Sequence, residues 1–292
     1  MLKSDQWLRE SQDRETGIRG AVNFRKIPDT NIYALGQPTL EAVDQVLADV
    51  RDNHPNASRT VWITLREEPI VYINGTPYCL RRENYSLRNM KDYGGISASR
   101  LELLEDRLKD DVLSELESFG GRYGGSQRNV FEISLKFAIS ILLHTETPDG
   151  TVVPVWEEVK REGVLVLKDI MRSRREGEVS LQYVRIPITA EKPPDSTDLK
   201  DLIEIALRTP SDTPIVVNCQ LGRGRSTLAT IILILIKGWL QVHRPTTTSS
   251  ARSPRSLSTS MTLSEPPKPP PDRYSYQVIN SWWLLQSTTM AY

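Results

Sequence analysis

VVNCQLGRGRST, residues 216–227, ends an apolar run in a cysteine, Cys219, and places Arg225 six positions later, with Gly222 and Gly224 between them and Ser226 directly after. Upstream, TPIVVN reads as a short buried strand; downstream, LATIILILIKGWL reads as an apolar helix. A strand that stops at the cysteine and a helix that starts near Arg225 leave Gln220 to Gly224 as a tight loop, with its backbone N–H groups gathered around one point. The positive end of the helix dipole lies at that point too, so the loop favours an anion there, thiolate or phosphate. The two glycines are read as positions where the backbone comes close and takes positive φ.

Each side chain in the stretch then has a chemical task. Cys219 is the candidate nucleophile. Arg225 can grip two equatorial phosphate oxygens in a bidentate fork. Ser226 can donate a hydrogen bond to the sulfur and ease its departure when a phosphocysteine hydrolyses. Gln220, Leu221, Gly222, Arg223 and Gly224 form the cradle that binds the phosphate. A cysteine six residues before an arginine recurs by chance. The Gly-x-Gly-Arg-Ser ending between a buried strand and an apolar helix is far more specific.

Working outward, apolar strand-like runs alternate with helical patterns. NIYALGQPTLEAVDQVLADV reads as a strand, a Gly-Gln-Pro turn and an amphipathic helix with Thr39 as N-cap; RTVWITLREEPIVYINGTPYCL reads as strands on either side of Arg66, with an Asn74-Gly75 turn into a third. Leu101, Leu104, Leu108 and Val112 at helical spacing make 97–118 a long helix. After 164 a strand at SLQYVRIPI, a loop at TAEKPPDST and a helix at DLKDLIEIALR lead into the cysteine strand. The class is α/β, with one central, mostly parallel or mixed sheet and helices on both faces. The helix after the cysteine, Thr227 to Leu240, is read as apolar all round because it crosses the domain centre.

Around this domain, placed at 18–240, residues 1–17 read as a polar lead-in, and 122–140, glycine-rich and without periodicity, as an insertion. Residues 241–272 read as a disordered Ser/Thr/Pro-rich linker, and 273–292 as a short aromatic tail. Two readings of the chain's extent stand: one repeat of a longer protein, or a truncated product.

The composition excludes several classes. Across 292 residues, 37 basic and 37 acidic side chains balance, so nucleic acid and anionic membrane are not expected partners and any anion site is local. The most apolar stretch, Ala229 to Ile236, falls well short of the roughly 20 residues a membrane span needs, and the first ten residues carry no signal-peptide pattern. Only Cys79 and Cys219 are present, too few for a disulfide framework, which suits a reducing cytoplasm. Cys79 reads as a small buried residue. His54, His144 and His243 are scattered, so no metal and no cofactor are expected.

These residues resemble the cysteine-dependent phosphatases with a Cys-x5-Arg loop, and the Gly-x-Gly-Arg-Ser ending resembles the PTP-like inositol polyphosphate phosphatases, or phytases. WITLREEPIVYINGTPY is similar to that family's strand, arginine-glutamate and Asn-Gly segment; YVRIPITAEKPPDSTDL is similar to its Tyr-x-Arg and acid-loop segment. With NFRKIPDTNIYALGQPT, the resemblance covers 18–240 apart from 122–140. It implies a PTP-like fold and a phosphorylated substrate: inositol phosphate, phosphoinositide or phosphoprotein. Arg223 stands where phosphoinositide phosphatases of the tensin-homologue type carry lysine, and with Lys192 beside the acid loop it implies a preference for several phosphates.

Two positions depart from the family. Asn218 stands where histidine usually precedes the cysteine, and Ala190 stands where the aspartate general acid is expected. Glu191 and then Asp195 are the candidate substitutes, with Asp198 expected to be held in the first turn of its helix. Two functions follow: a cysteine phosphatase working through a phosphocysteine, or a pseudophosphatase that binds phosphorylated ligands or scaffolds partners without turnover.

Overall fold

The structure, a computed structural model, describes residues 1–5, 17–85, 89–90, 93–120, 139–147, 149–174, 180–190 and 192–243. The tail and Glu191 lie outside these residues, as do all of the expected linker except its first three positions, Gln241 to His243, which instead end the last helix, and all of the expected insertion except its last two positions. Among the described residues the strands are β1 Leu2–Ser4, β2 Arg25–Lys26, β3 Ile32–Leu35, β4 Arg59–Thr64, β5 Ile70–Ile73, β6 Thr76–Leu80, β7 Ile139–Glu146, β8 Val152–Val159, β9 Val164–Val166, β10 Ser180–Arg185 and β11 Ile215–Asn218. The helices are α1 Leu40–Asn53, α2 Ala98–Gly120, α3 Leu167–Ser173, α4 Ser196–Arg208 and α5 Gly224–His243.

Parallel pairing sets the site. β10, β4, β11 and β3 lie side by side in that order and run the same way, with β2 antiparallel at the outer edge. The register places Asn218 opposite both Leu35 and Thr64, and Arg185 opposite Thr64, so the strands end together. The loops that follow are stitched to one another: Gln37 N donates to Gln220 O at 2.8 Å, Leu65 N to Asn218 O at 2.8 Å, and Ile188 N to Leu65 O at 3.2 Å. The carboxyl ends of such strands are where open α/β sheets bind ligands.

The strand alternation divides the core into two layers. Tyr33, Leu35, Trp62 and Val216 face α1, α3 and β5, whereas Ile32, Val61, Ile63, Ile215 and Val217 face α4 and α5. Local signals are met where expected. Thr39 accepts from Ala42 N at 3.1 Å as the α1 N-cap, and Asn74 and Gly75, at φ 48° and 82°, make the tight turn between β5 and β6.

Three expectations are corrected. First, the single sheet is two: β8, β7, β1, β6, β5 and β9 form a second, mixed sheet packed on α2. Its β5 is separated from β4 only by Leu65 to Pro69, so this link crosses from one sheet to the other. Second, the first five residues of the lead-in are part of the fold. Leu2–Ser4 is a strand between β6 and β7, and Asp5 is 5% exposed. A three-residue strand carries no period to read, and its place is set by pairing with partners far along the chain. Ile139 and Ser140, likewise assigned to the insertion, belong to β7.

Third, α5 does not cross the domain centre. It lies on one face of the sheet, burying Ser226, Ala229, Thr230 and Leu233, while Leu235 and Trp239 are 67% and 59% exposed. Among the described residues it is the one helix long and apolar enough to cross a membrane by length and composition.

Candidate active site

Cys219 follows β11 and is buried, and Ser226, in the first turn of α5, stands with its Oγ 3.6 Å from the Cys219 sulfur. The helix opens at Gly224, one residue before the expected start. Arg225 donates through Nη1 to Ile188 O at 2.9 Å and to Leu65 O at 3.3 Å, which orients its guanidinium between the β4 and β10 loops. Burial and the neighbouring Arg66 push Arg225 down from its ordinary value, but a guanidinium stays cationic.

The two loop glycines have different tasks. Gly222 takes φ 71°, and a Cβ there would stand 2.5 Å from the Leu35 carbonyl carbon and closer still to Gly36 N. Gly224 does not take positive φ, and a Cβ on it would meet nothing within 4 Å. The steric demand falls on Gly222 alone, a correction of the paired-glycine expectation. Gly36 answers it from the other side, since its own Cβ would meet Gln220 O at 2.8 Å.

Two residues that local reading missed bind carbonyls of the loop and fix its backbone. Asn23 Nδ2 donates to Leu221 O at 2.7 Å, and Arg25 donates to Gly222 O at 2.6 Å and to Thr227 Oγ1 at 2.8 Å. Burial lowers Arg25 from its ordinary value, and the nearby Cys219 works against that. Both lie in NFRKIPDT, where sequence similarity, though no motif, marks them.

Asn218 is held by three buried side-chain hydrogen bonds. Its Oδ1 accepts from Trp62 Nε1 at 2.9 Å and Thr64 Oγ1 at 2.7 Å, and its Nδ2 donates to Gln37 Oε1 at 3.2 Å. Gln37 in turn donates to Tyr72 Oη at 2.7 Å, and Tyr72 donates to Pro38 O at 2.9 Å. The residue before the cysteine therefore ties the end of β11 to β4 and the Gly-Gln-Pro turn.

A buried ionic cluster lies beside the loop. Arg66 pairs with Asp5 and with Glu68, and Arg81 pairs with Glu68 at 2.9 Å. Burial alone would raise the Asp5 carboxyl; Arg66 and Arg81 overcome that and hold it below its ordinary value. Asp5 also accepts from Gln220 Nε2 at 3.0 Å, and Asn89 donates to Gln220 Oε1 at 2.9 Å. The first residue of the loop is thus fixed to the chain's fifth. Burial, with Asp5 beside it, raises the Cys79 thiol well above its ordinary value, so it stays a neutral packed group.

The candidate acids part company. Asp195 is the N-cap of α4, its Oδ1 accepting from Thr197 N at 2.8 Å and Asp198 N at 2.9 Å, while Asp198 Oδ2 accepts from Asp195 N at 3.0 Å. This reciprocal capping box occupies both carboxylates. Glu191 lies outside the described residues. Ala190 donates its N–H to Glu67 Oε1 at 2.9 Å. Arg223 and Lys192 are both exposed.

A family model for PTP-like phytases, described as "Inositol hexakisphosphate", matches residues 63–237. The chain is 30% identical to paladin of Gallus gallus over 218 residues, which is 73% of this chain and 22% of that protein. It is 25% identical to paladin of Homo sapiens over 217 residues, 73% and 20% of the two chains. It therefore spans about a fifth of the length of these curated relatives. Among solved structures, the tandemly repeated protein tyrosine phosphatase like phytase from Mitsuokella multacida is similar with a TM-score of 0.53 at 15% identity, covering 82% of this chain and 37% of that one. The PTP-like myo-inositol phosphatase from the same organism, in complex with myo-inositol-(1,3,4,5)-tetrakisphosphate, is similar with a TM-score of 0.51 at 16% identity, covering 81% and 37%. The two structures share its fold.

Proposed function

This chain belongs to the PTP-like phytase family, and we propose that it is a cysteine-dependent phosphatase acting on multiply phosphorylated inositol head groups. One observation carries the reading: the Cys219 sulfur lies 3.6 Å from Ser226 Oγ in a loop that ends at a helix N-terminus, with Arg225 oriented beside it. In the reaction, Cys219 attacks phosphorus in line. Arg225 and the amides of Gln220 to Gly224 stabilise the equatorial charge, and Ser226 steadies the sulfur as the phosphocysteine hydrolyses.

The substrate class is supported by charge. Arg223, within the loop, and Lys192, in the segment after β10, are exposed, and once the loop binds one phosphate, each further phosphate within their reach gains an attraction that a phosphotyrosine peptide lacks. The related Mitsuokella multacida phosphatase carries myo-inositol-(1,3,4,5)-tetrakisphosphate, a ligand of that class.

Phosphate release from inositol polyphosphates, phosphoinositides and phosphotyrosine peptides tests this, with Cys219→Ser as control. Turnover lost in C219S, and a preference for inositol polyphosphate that falls in Arg223→Ala, supports the reading. An equal fall for peptide and inositol substrates in R223A would leave Arg223 as loop support only. The second reading is a pseudophosphatase that binds phosphorylated ligands, and Ala190 at the acid position favours it. Vanadate binding without phosphate release from any of the three substrates would select it.

A further inference from the structure

Glu67 stands in the link that crosses from the first sheet to the second, and its side chain is used by only half. Oε1 accepts from Ala190 N at 2.9 Å, whereas Oε2 is buried and has no hydrogen-bond partner among the described residues. The residue is 5% exposed. A buried carboxyl oxygen without a partner is costly to maintain, which points to a group that meets it during the protein's work.

Its surroundings say what that work is. Glu67 lies two residues beyond Leu65, whose carbonyl accepts from Arg225, and Ala190 lies two residues beyond Ile188, whose carbonyl does the same. Glu67 therefore spans the two loops that hold the phosphate-loop arginine. It is close enough to act electrostatically on both Arg225 and Asp198, with Arg66 and Glu68 its neighbours in the chain. Its bond to Ala190 attaches it to the very position where the side chain of a general acid is absent.

We infer that Glu67 is the proton donor to the leaving group, supplied from the β4 loop instead of the β10 loop. The inference rests on the phosphatase reading above. In the first step the Cys219 thiolate forms the S–P bond as the ester P–O bond breaks. The proton on Glu67 Oε2 passes to the departing oxygen, leaving an alcohol, a phosphocysteine and the Glu67 carboxylate. In the second step that carboxylate takes a proton from water as the water oxygen bonds to phosphorus. Inorganic phosphate leaves, and the Cys219 thiolate and the Glu67 acid are restored.

The experiment compares full-chain wild type and Glu67→Gln on 2,4-dinitrophenyl, 4-nitrophenyl and phenyl phosphate, whose leaving groups need progressively more protonation. E67Q should lower phenyl phosphate turnover on the order of 10²- to 10⁴-fold while changing 2,4-dinitrophenyl phosphate less than about threefold, since that leaving group needs no proton. A loss of equal size on all three substrates, or no loss, overturns the assignment and leaves Glu67 as a brace for Ala190. The graded loss arising from Glu191→Gln instead overturns it as well. If E67Q fails to bind vanadate, Glu67→Ala with added formate serves: returning phenyl phosphate turnover supports the assignment, and none refutes it. A wild-type burst of dinitrophenolate that is absent in C219S keeps the phosphatase reading whatever Glu67 does. No dinitrophenolate release by wild type above C219S, in a burst or at steady state, removes that reading, and the proton-donor role with it.

Discussion

Replacing Gly222 by alanine should dismantle the phosphate loop, while the same change at Gly224 should not. At Gly222 the backbone takes φ 71°, a conformation that costs an L-residue about 1–2 kcal/mol. The new Cβ would also stand 2.5 Å from the Leu35 carbonyl carbon, when carbon atoms pack best at about 3.5–4.0 Å. Leu35 is fully buried and paired in register with Asn218, so the loop, not the strand, must retreat by roughly 1 Å. Overpacking of this kind costs about 1–3 kcal/mol more, for a total of about 2–5 kcal/mol. For a domain of this size that lowers the melting midpoint by roughly 4–20 °C. A 1 Å retreat displaces the converging amides, and orthovanadate binding should weaken on the order of 10²-fold. Gly224→Ala adds a Cβ that meets nothing within 4 Å at the first residue of α5, so it should be neutral or stabilise by up to about 1 kcal/mol. Thermal unfolding and a vanadate titration on both variants decide the matter. Vanadate affinity within threefold of wild type in G222A, or equal losses in the two variants, would refute the reasoning.

Other perturbations test the supports. Asn218→Ala strips the acceptor from Trp62 Nε1 and Thr64 Oγ1 and should destabilise by about 2–4 kcal/mol in urea titrations; a loss below about 0.5 kcal/mol would show that water replaces the amide. Asp5→Asn leaves Arg66 and Arg81 with Glu68 alone and should cost about 3–5 kcal/mol at neutral pH. Because the folded Asp5 carboxyl is held below its ordinary value, its contribution is present above about pH 4 and is lost as pH falls through the folded value. The gap between wild type and D5N should therefore narrow below about pH 4 in denaturant midpoints, and a constant gap would contradict the pairing. Arg25→Ala frees the Gly222 carbonyl and should weaken vanadate roughly tenfold, with Arg25→Lys restoring only part because it lacks the fork; full affinity in R25A would mean the loop holds its shape unaided.

The amino-acid sequence by itself determined the elements whose causes are local. Thr39 caps α1 because its hydroxyl reaches a backbone N–H three residues on. Asn74-Gly75 turns the hairpin because both positions tolerate positive φ, and Cys219, Gly222, Arg225 and Ser226 come together because a strand, a tight loop and a helix start leave few other arrangements. The alternating apolar strands likewise set the two faces of the first sheet. What only the tertiary structure decided rests on partners distant in the chain. Leu2 to Ser4 shows no period and becomes a strand because β6 and β7 satisfy its backbone, and Asp5 is buried because Arg66 and Arg81 neutralise it there. Asp195 and Glu67 were both carboxylates near a loop in the sequence. Capping bonds occupy the first, and burial against Ala190 leaves one oxygen of the second without a partner among the described residues. Spacing along the chain encodes backbone geometry. The state of a carboxylate depends on which charges and N–H groups the fold brings within a few ångströms, and that is settled only when the sheets and loops have packed.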